Sequence, residues 1–357
     1  MKVLSETLNK ITAADDTYRK RATSYIETLT MPHWALGMIL DLAVDLCGMT
    51  RSMQPPVKNK RLVVFAGDHG VVHDGVSQQP QTVTTQMMMN FANGGAGVNI
   101  MSRNCGAEVT VVDMGAVNPV PEYYADGKIL DRRIAPGTAS MMHGPAMSRE
   151  QAVQAIETGI QIALDFGPEA DIFGAGEMGI GNTTPSSAIV AVLTGIPVKD
   201  LTGRGAGLPE KQLPRKVEVI ETAIRVNQPD PQDGLDILAK VGGFEIGAIA
   251  GLILGAAAQH KPMVIDGFIS TAGALIAQVL CPASTDYMIA AHRSQEPGHI
   301  AMLNKLGKEG LLDLKMRLGE GSGAALAMHL TDAAYRVMTE MATFDQAAVA
   351  AEGINKF

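Results

Sequence analysis

A glycine-rich stretch in the middle of the chain constrains the fold more than any other feature. It runs from Gly174 to Pro185 with the sequence Gly-Ala-Gly-Glu-Met-Gly-Ile-Gly-Asn-Thr-Thr-Pro, and it follows the short apolar run 170–173. The apolar run predicts a buried strand, and the four glycines after it allow the backbone to turn tightly and to approach a ligand closely. Asn182 and the two threonines after it are suited to cap a helix that begins near Pro185.

This order of elements is one that proteins use to bind phosphate. A strand, a tight turn and a helix N-terminus together direct backbone N–H groups at one point, which favours an anion. The Gly-Lys-Ser/Thr ending of a Walker loop is missing, and Gly-x-Gly-x-x-Gly spacing alone is a weak signal. A turn that binds no ligand is therefore an open alternative on this evidence. The carboxylate of Glu177 inside the stretch is harder to explain as purely structural.

Composition limits the classes of protein to which the chain can belong. Its 357 residues are 46% apolar and 18% charged and include 38 glycines, which fits a large buried α/β core with many turns. The net charge of −8 argues against nucleic acid or an anionic membrane as a partner. Cys47, Cys105 and Cys281 lack metal-binding spacing and, with no signal peptide, predict a cytoplasmic protein with reduced thiols. The apolar stretch 246–258 is too short to span a bilayer and predicts a buried helix.

Strand-like and helix-like segments alternate through most of the chain. Buried strands are predicted at 62–66, 108–113, 170–173, 262–267 and 287–291, whereas 116–147 is predicted to be irregular. The alternation predicts a doubly wound, mainly parallel, Rossmann-like sheet in a large α/β domain that spans 57–310. The helical patterns of 1–56 and about 311–357 predict a small helical domain built from the two terminal segments.

Polar side chains follow several of the predicted strands. Asp68 and His69 follow the first strand and are candidates for a site at the carboxyl edge of the sheet. His69 and His73 are spaced as some metal ligands are, but flanking glycines and the missing glutamate argue against zinc, so we expect no metal there and a loop-orienting His69. A second glycine-rich loop, 202–207, could surround the same anion, with Arg204 as its charged partner.

Six motifs occur in one order along the chain and are recognisable together. They are Gly67-Asp-His-Gly-Val, Gly176-Glu-Met-Gly-Ile-Gly-Asn-Thr-Thr, Thr202-Gly-Arg-Gly-Ala-Gly, Ile265-Asp-Gly-Phe-Ile-Ser, His292-Arg-Ser-Gln-Glu-Pro-Gly-His and Leu318-Gly-Glu-Gly-Ser-Gly. The set resembles the nicotinate-nucleotide:dimethylbenzimidazole phosphoribosyltransferase family over almost the whole chain. The resemblance implies transfer of phosphoribose from nicotinate mononucleotide to a lower-ligand base for cobamide assembly. It also implies a homodimer, or a pair with a related chain, because some relatives work in that way.

The resemblance also implies roles for particular residues. Glu320 matches the catalytic base, and Glu177 and Lys216 match other positions of the active site. We expect Glu177 near the ribose, where its negative charge would favour an oxocarbenium-like transition state. The implied contacts to the phosphate and ribose are Gly179, Ile180, Gly181, Asn182, Thr183, Gly203, Arg204, Gly205 and Gly207. The remaining implied substrate contacts are Asp68, His69, Gln86, Asp266, Ser294 and Leu318.

The resemblance places Gln86 and the 77–84 loop at the base pocket, where members of the family differ. Some of them accept adenine or phenols. An apolar slot with methionines such as Met87 and Met178 favours the flat, hydrophobic 5,6-dimethylbenzimidazole. No cofactor and no metal are expected. Two alternatives remain: a noncatalytic nucleotide-binding module, or a phosphatase-like hydrolase that uses Asp68 and His69.

Overall fold

A six-stranded, wholly parallel sheet forms the centre of the protein. The computed structural model describes residues 2–350. The strands are β1 (Lys60–Gly67), β2 (Ala107–Gly115), β3 (Ile129–Asp131), β4 (Ile172–Met178), β5 (Met263–Ile265) and β6 (Met288–Ala290), and their order in the sheet is β3-β2-β1-β4-β5-β6. The predicted parallel, Rossmann-like fold is confirmed.

Helices fill the connections between the strands and both ends of the described chain. They are α1 (Lys2–Leu8), α2 (Asp16–Ile26), α3 (Met38–Thr50), α4 (Thr82–Ala92), α5 (Gly97–Cys105), α6 (Pro121–Ala125), α7 (Arg149–Phe166), α8 (Thr183–Thr194), α9 (Val198–Leu201), α10 (Leu213–Asn227), α11 (Gly234–Val241), α12 (Phe244–Ala257), α13 (Phe268–Leu280), α14 (His299–Leu306), α15 (Ser322–Glu340) and α16 (Phe344–Ala347). Within residues 2–350, none is long and apolar enough to cross a membrane.

Helical layers cover both faces of the sheet. Alternate side chains of a strand point to opposite faces. In β1, Leu62 faces the start of α15, because a Cβ on Gly321, just before that helix, would lie 2.8 Å from Leu62 Cδ2. Gly67 faces the opposite side, towards Glu245 at the start of α12. The apolar stretch predicted to be a buried helix is α12, and all of its residues are buried. It packs so closely on α7 that a Cβ on Gly251 would lie only 2.0 Å from the carbonyl oxygen of Ile156.

Several predicted boundaries are wrong for identifiable reasons. β4 continues to Met178, so Gly174 and Gly176 lie in the strand and not in the turn that follows it. These two glycines serve close packing: a Cβ on Gly176 would lie 2.0 Å from the carbonyl oxygen of Glu320. The segment predicted to be irregular contains α6 and the edge strand β3, which is too short to show a pattern. The C-terminal helical region begins at Ser322 and not near residue 311.

The strand order creates a switch point between β1 and β4. Strands are added outwards in opposite directions from these two, and ligands of open α/β sheets bind at such a point beyond the carboxyl ends. The loop after β4 crosses this point, where a Cβ on Gly179 would lie 2.3 Å from the carbonyl oxygen of Gly67. The terminal segments also meet, since α3 packs on α15 and Leu29 forms an isolated bridge with Thr343.

Candidate active site

A cavity of about 570 Å³ lies at the carboxyl ends of β4, β5 and β6. Its wall is formed by the loops after these strands, by α4, and by the loop before α15. The lining residues are Gln79, Val83, Met87, Glu177, Met178, Gly179, Ile180, Asn182, Thr183, Gly205, Ala206, Gly207, Gly267, Phe268, Ile269, His292, Ser294, Glu296, Arg317, Leu318, Gly319 and Glu320. This is the volume and the mixture of apolar and polar groups expected of a small-molecule site.

A second cavity of about 50 Å³ adjoins the first and shares the loop after β4 with it. Its wall is formed by Gly179 to Thr183, by Arg204 to Ala206, and by Lys216, among others. The N-terminus of α8 begins at Thr183 and brings the positive end of a helix dipole to this point. A space of this size, with backbone N–H groups and two cationic side chains, suits one phosphate group.

Lys216 is the buried cation of the small cavity. Its side chain comes from α10 and is 1% exposed. Its Nζ donates hydrogen bonds to Thr183 Oγ1 at 2.7 Å and to the carbonyl oxygen of Gly203 at 3.1 Å. Burial lowers the pKa of Lys216 to about 8, although the nearby Glu296 carboxylate opposes this shift. A bound phosphate would replace the hydration that Lys216 lacks.

The second glycine-rich loop closes the small cavity from the other side. Gly205 and Gly207 have φ angles of +51° and +99°, which residues with a Cβ rarely adopt. A Cβ on Gly205 would lie 2.8 Å from Thr183 Oγ1. Arg204 is exposed and its Nε donates to the carbonyl oxygen of Leu208 at 2.7 Å, which directs the guanidinium to the cavity wall. The two loops predicted to contact one anion do meet there.

Glu177 lies at the end of β4 and lines the large cavity. It is 6% exposed, and Asn182 Nδ2 donates a short hydrogen bond to its Oε2. Asn182 was expected to cap α8, but its side chain makes no cap bond, because Glu177 accepts it instead. Burial, with a further contribution from Asp266, raises the pKa of Glu177 to about 8. The raised pKa brings the titration of Glu177 close to neutral pH, so its protonated form is accessible there.

Glu320 lines the same cavity as Glu177 and lies on the turn before α15. Its Oε2 accepts a hydrogen bond from the backbone N–H of Val98 at 3.2 Å, in the first turn of α5. Burial raises the pKa of Glu320, and the N–H groups of Val98 and Gly97 limit that rise. A carboxylate in the wall of a cavity with its pKa moved towards neutral pH is equipped to accept a proton.

Five predicted site residues do not line either cavity: Gly203, Asp266, Asp68, His69 and Gln86. Gly203 contributes its carbonyl oxygen to Lys216. Asp266 is buried and accepts hydrogen bonds from the backbone N–H groups of Gly321 and Ala324. Gln86 is exposed on α4, one position from Met87, which does line the large cavity.

Asp68 and His69 are structural in their contacts. Asp68 accepts hydrogen bonds from Thr84 Oγ1 at 2.7 Å and from the backbone N–H of Val117 at 2.8 Å. His69 Nε2 lies 2.8 Å from Glu245 Oε1, and both side chains are buried. Although burial opposes the charged ring, Glu245 raises the pKa of His69. His69 thus lies under the loop after β4, which agrees with a loop-orienting role.

The structure adds wall residues to which sequence reasoning gave no role. Phe268 and Ile269 form an apolar wall at the start of α13, and His292 and Glu296 follow β6. Glu296 accepts the N–H of Gly205, and its Oε2 is buried without a partner in the described part of the chain. A signal was present for all four, because Phe268 and Ile269 belong to the motif 265–270 and His292 and Glu296 to the motif 292–299. Across residues 2–350, no group of three or more His, Cys, Asp or Glu could hold a metal ion.

The fold and the two adjoining cavities define a Rossmann-like protein whose pockets suit a phosphorylated ligand next to a pair of carboxyl groups. A family model described as phosphoribosyltransferase matches residues 11–349. The chain is 59% identical over 349 residues to the nicotinate-nucleotide–dimethylbenzimidazole phosphoribosyltransferase of Syntrophotalea carbinolica, covering 98% of this chain and 99% of the relative. It is 51% identical over 352 residues to that of Desulfotalea psychrophila, with coverage of 98% and 99%. The chain belongs to the nicotinate-nucleotide–dimethylbenzimidazole phosphoribosyltransferase family.

Solved structures agree with this assignment. A crystal structure of the enzyme of this name from Thermus thermophilus superimposes with a TM-score of 0.88 at 40% identity, covering 94% of this chain and 99% of that chain. A structure titled CobT from the same organism gives a TM-score of 0.89 with the same identity and coverage. At this identity the likeness concerns both the fold and the family.

Proposed function

We propose that this protein transfers phosphoribose from nicotinate mononucleotide to 5,6-dimethylbenzimidazole, releasing nicotinate and forming an α-linked ribotide for cobamide assembly. The observation that carries the proposal is the junction of a phosphate-sized cavity with a larger one that holds Glu177 and Glu320. The phosphate would be held by the loop 179–183, Lys216 and Arg204. The ribose would extend from there past Glu177.

The proposed reaction breaks one carbon–nitrogen bond and forms another at C1′ of the ribose. The bond to nicotinate breaks with its electron pair moving to the ring nitrogen, and a nitrogen of the benzimidazole attacks C1′ from the opposite side. Attack from that side converts the β linkage into an α linkage. The other benzimidazole nitrogen then loses its proton to Glu320, because the ring has gained positive charge.

The roles of the two carboxyl groups follow from their environments. Both are almost fully buried, at 7% exposed for Glu320 and 6% for Glu177, and two backbone N–H groups keep the pKa of Glu320 from rising as far as burial alone would raise it. Glu320 is therefore the better acceptor of a proton. The pKa of Glu177 is raised to about 8, and we propose that its protonated form donates a hydrogen bond to the ribose or to the leaving group.

We propose that turnover needs no metal ion. Transferases that release pyrophosphate use magnesium to neutralise the departing charge. In nicotinate mononucleotide the ring nitrogen already carries a positive charge, and it becomes neutral when the bond breaks. The phosphate that remains on the ribose meets Lys216 and the amides of the loop after β4.

The larger cavity suits a flat apolar base. Val83, Met87, Met178, Phe268 and Leu318 contribute apolar surface to it. A purine would leave its exocyclic amino group and ring nitrogens without partners on such surface, whereas 5,6-dimethylbenzimidazole has two methyl groups to bury.

Incubating the purified protein with nicotinate mononucleotide and a panel of bases tests the proposal. Free nicotinate is the readout, measured with 5,6-dimethylbenzimidazole, adenine or phenol, alone and in competition. We expect the highest kcat/KM for 5,6-dimethylbenzimidazole. A preference for adenine or phenol would overturn the base assignment, and release of nicotinate at the same rate without any base would show a hydrolase.

A phosphatase-like hydrolase and a noncatalytic binder are both less well supported. The hydrolase would use Asp68 and His69, but these side chains are hydrogen-bonded within the protein and lie outside both cavity walls. A binding module gains nothing from two buried carboxyl groups with raised pKa values in its wall.

We propose a homodimer as the assembly and a small helical domain formed by 1–56 and about 311–357, of which residues 1 and 351–357 lie outside the described part of the chain. The packing of α3 on α15 supports the joining of the two terminal segments. Light scattering on the purified chain tests the dimer. If the chain alone is inactive but becomes active with a related second chain, the functional assembly is a pair of different chains.

A further inference from the structure

The turn that carries Glu320 has an unusual backbone. Gly319, Glu320 and Gly321 have φ angles of +81°, +66° and +92° in succession. For glutamate this left-handed conformation is unfavourable, because its Cβ approaches the neighbouring carbonyl. Such a conformation persists only where the surrounding structure holds it in place. Neighbouring groups must therefore hold this turn in place.

Asp266 makes the strongest contacts to the turn. It follows β5 directly, so the central sheet fixes its position. Its Oδ2 accepts the backbone N–H of Gly321 at 3.1 Å, and its Oδ1 accepts the N–H of Ala324 at 2.9 Å. Both carboxylate oxygens are thus committed to the start of α15. The side chain is 2% exposed and lines neither cavity.

Other groups complete the support of the turn from the sheet. The carboxyl group of Glu177 accepts the backbone N–H of Glu320. Gly176 offers no side chain, which allows the carbonyl of Glu320 to lie against β4. His292 Nε2 lies 3.7 Å from Asp266 Oδ1 and is a neighbouring side chain that can carry a positive charge. The turn therefore rests on the ends of two neighbouring strands, with Asp266 as its hydrogen-bonding anchor.

We propose that Asp266 is a positioning residue that acts through Glu320, and that it does not contact the substrate. The inference rests on the proposed function, because it takes Glu320 as the base. Asp266 holds the left-handed turn, caps α15, and so fixes the direction in which the Glu320 carboxylate enters the cavity. Loss of this anchor displaces the base and leaves the phosphate cradle intact.

A double-mutant cycle tests the coupling between the two residues. Asp266→Asn keeps the size of the side chain but leaves only one oxygen to accept two N–H groups. We expect kcat to fall about 10²-fold, as misplacement of a reacting group by about 1 Å does, while KM for nicotinate mononucleotide changes little. In a Glu320→Gln background the same substitution should lower kcat by no more than about threefold, because the two residues act as a unit.

The outcomes separate this inference from the proposed function. If the effects of the two substitutions on kcat multiply, Asp266 acts independently of Glu320 and the positioning role is wrong. The role is also wrong if Asp266→Asn raises KM for the mononucleotide by an order of magnitude, because Asp266 then binds substrate. If Glu320→Gln alone retains full turnover, the proposed base is wrong instead. Asp266→Ser, which keeps one accepting oxygen, replaces Asp266→Asn if the latter does not accumulate as folded protein.

A matched control and an activity-independent readout complete the test. Asp233 also accepts two backbone N–H groups at the start of a helix, α11, but through one oxygen: its Oδ1 accepts those of Leu235 and Asp236 at 3.0 and 3.1 Å, and it lines neither cavity. Asp233→Asn should leave kcat unchanged. Hydrogen exchange should show that Asp266→Asn exposes the amides of Gly321 and Ala324 while β1 stays protected. Wild-type protection of these two amides in the variant would overturn the inference.

Discussion

Gly176→Ala should lower turnover strongly although the added methyl group touches no ligand. The residue lies within β4, and a Cβ there would lie 2.0 Å from the carbonyl oxygen of Glu320 and 2.5 Å from its carbonyl carbon. Ordinary van der Waals contact begins at 3.4 Å. The turn that carries Glu320 must therefore move by about 1.4 Å, because both partners are backbone and neither can rotate away.

The size of the effect follows from this displacement. Misplacing a reacting group by about 1 Å costs on the order of 10²-fold in rate, which is about 2.7 kcal/mol of barrier. Overpacking of this kind also lowers the free energy of unfolding by about 1–3 kcal/mol. Binding of the mononucleotide should change little, because Lys216 and the loop 179–183 of the proposed phosphate cradle lie outside the displaced turn.

The assay is nicotinate release at saturating mononucleotide and base, with calorimetric titration of the mononucleotide alone. Gly144→Ala is the control, because a Cβ at Gly144 meets nothing within 4 Å. Circular dichroism and the unfolding midpoint establish that both variants are folded. If folded Gly176→Ala turns over at the rate of the control, the position of the Glu320 turn does not determine catalysis and the reasoning fails.

Four further predictions concern individual groups. Glu320→Gln should lower kcat by about 10²–10⁴-fold while the mononucleotide still binds. If Glu320→Gln is active and Glu177→Gln is inactive, the roles assigned to the two glutamates are reversed. Thr183→Val, which removes one hydrogen bond to the phosphate, should weaken mononucleotide binding by about 1.5–3 kcal/mol. Gly205→Val should raise KM for the mononucleotide far more than for the base. If both variants bind the mononucleotide as wild type does, the phosphate cradle lies elsewhere. Turnover should continue in excess chelator, and a loss that magnesium restores would contradict the metal-independent mechanism. Because the pKa of Glu177 rises from 4.5 to about 8 on folding, the folded state holds a proton that the unfolded state releases between these values. Through this group, wild type should lose up to about 1.4 kcal/mol of stability per pH unit as pH rises through this window, and Glu177→Gln should lose correspondingly less, as urea unfolding at pH 5 and pH 8 would show.

The sequence alone determined the sheet and most of the phosphate cradle. Strand and helix patterns that alternate along the chain specify a parallel sheet, because each helical crossover must return the chain to the edge of the sheet at which the previous strand began. Gly179, Gly181 and Thr183 follow one strand and begin one helix, so their meeting at a phosphate-sized cavity depends on short-range geometry. The six motifs then gave the family, which the comparisons confirm.

The sequence did not reveal which residues of a motif face the ligand. Gln86 and Met87 are neighbours, but only the second lines the cavity, because the rotation of α4 is set by its packing on β1 and β2. Asp68 follows β1 as expected of a site residue, yet Thr84 and the backbone of Val117 occupy its carboxylate. Such choices depend on contacts between segments that are distant in sequence.

Only the tertiary structure decided how the two glutamates come together. Glu177 and Glu320 are separated by most of the C-terminal half of the chain, and their meeting requires that the turn before α15 lie against the end of β4. Gly176 permits that approach, and Asp266 fixes it through two backbone hydrogen bonds. A sequence pattern reports local periodicity, whereas a close contact of this kind depends on which surfaces the completed fold presses together. The motif that contains Asp266 therefore could not show that its carboxyl group accepts two backbone N–H groups from the turn before α15.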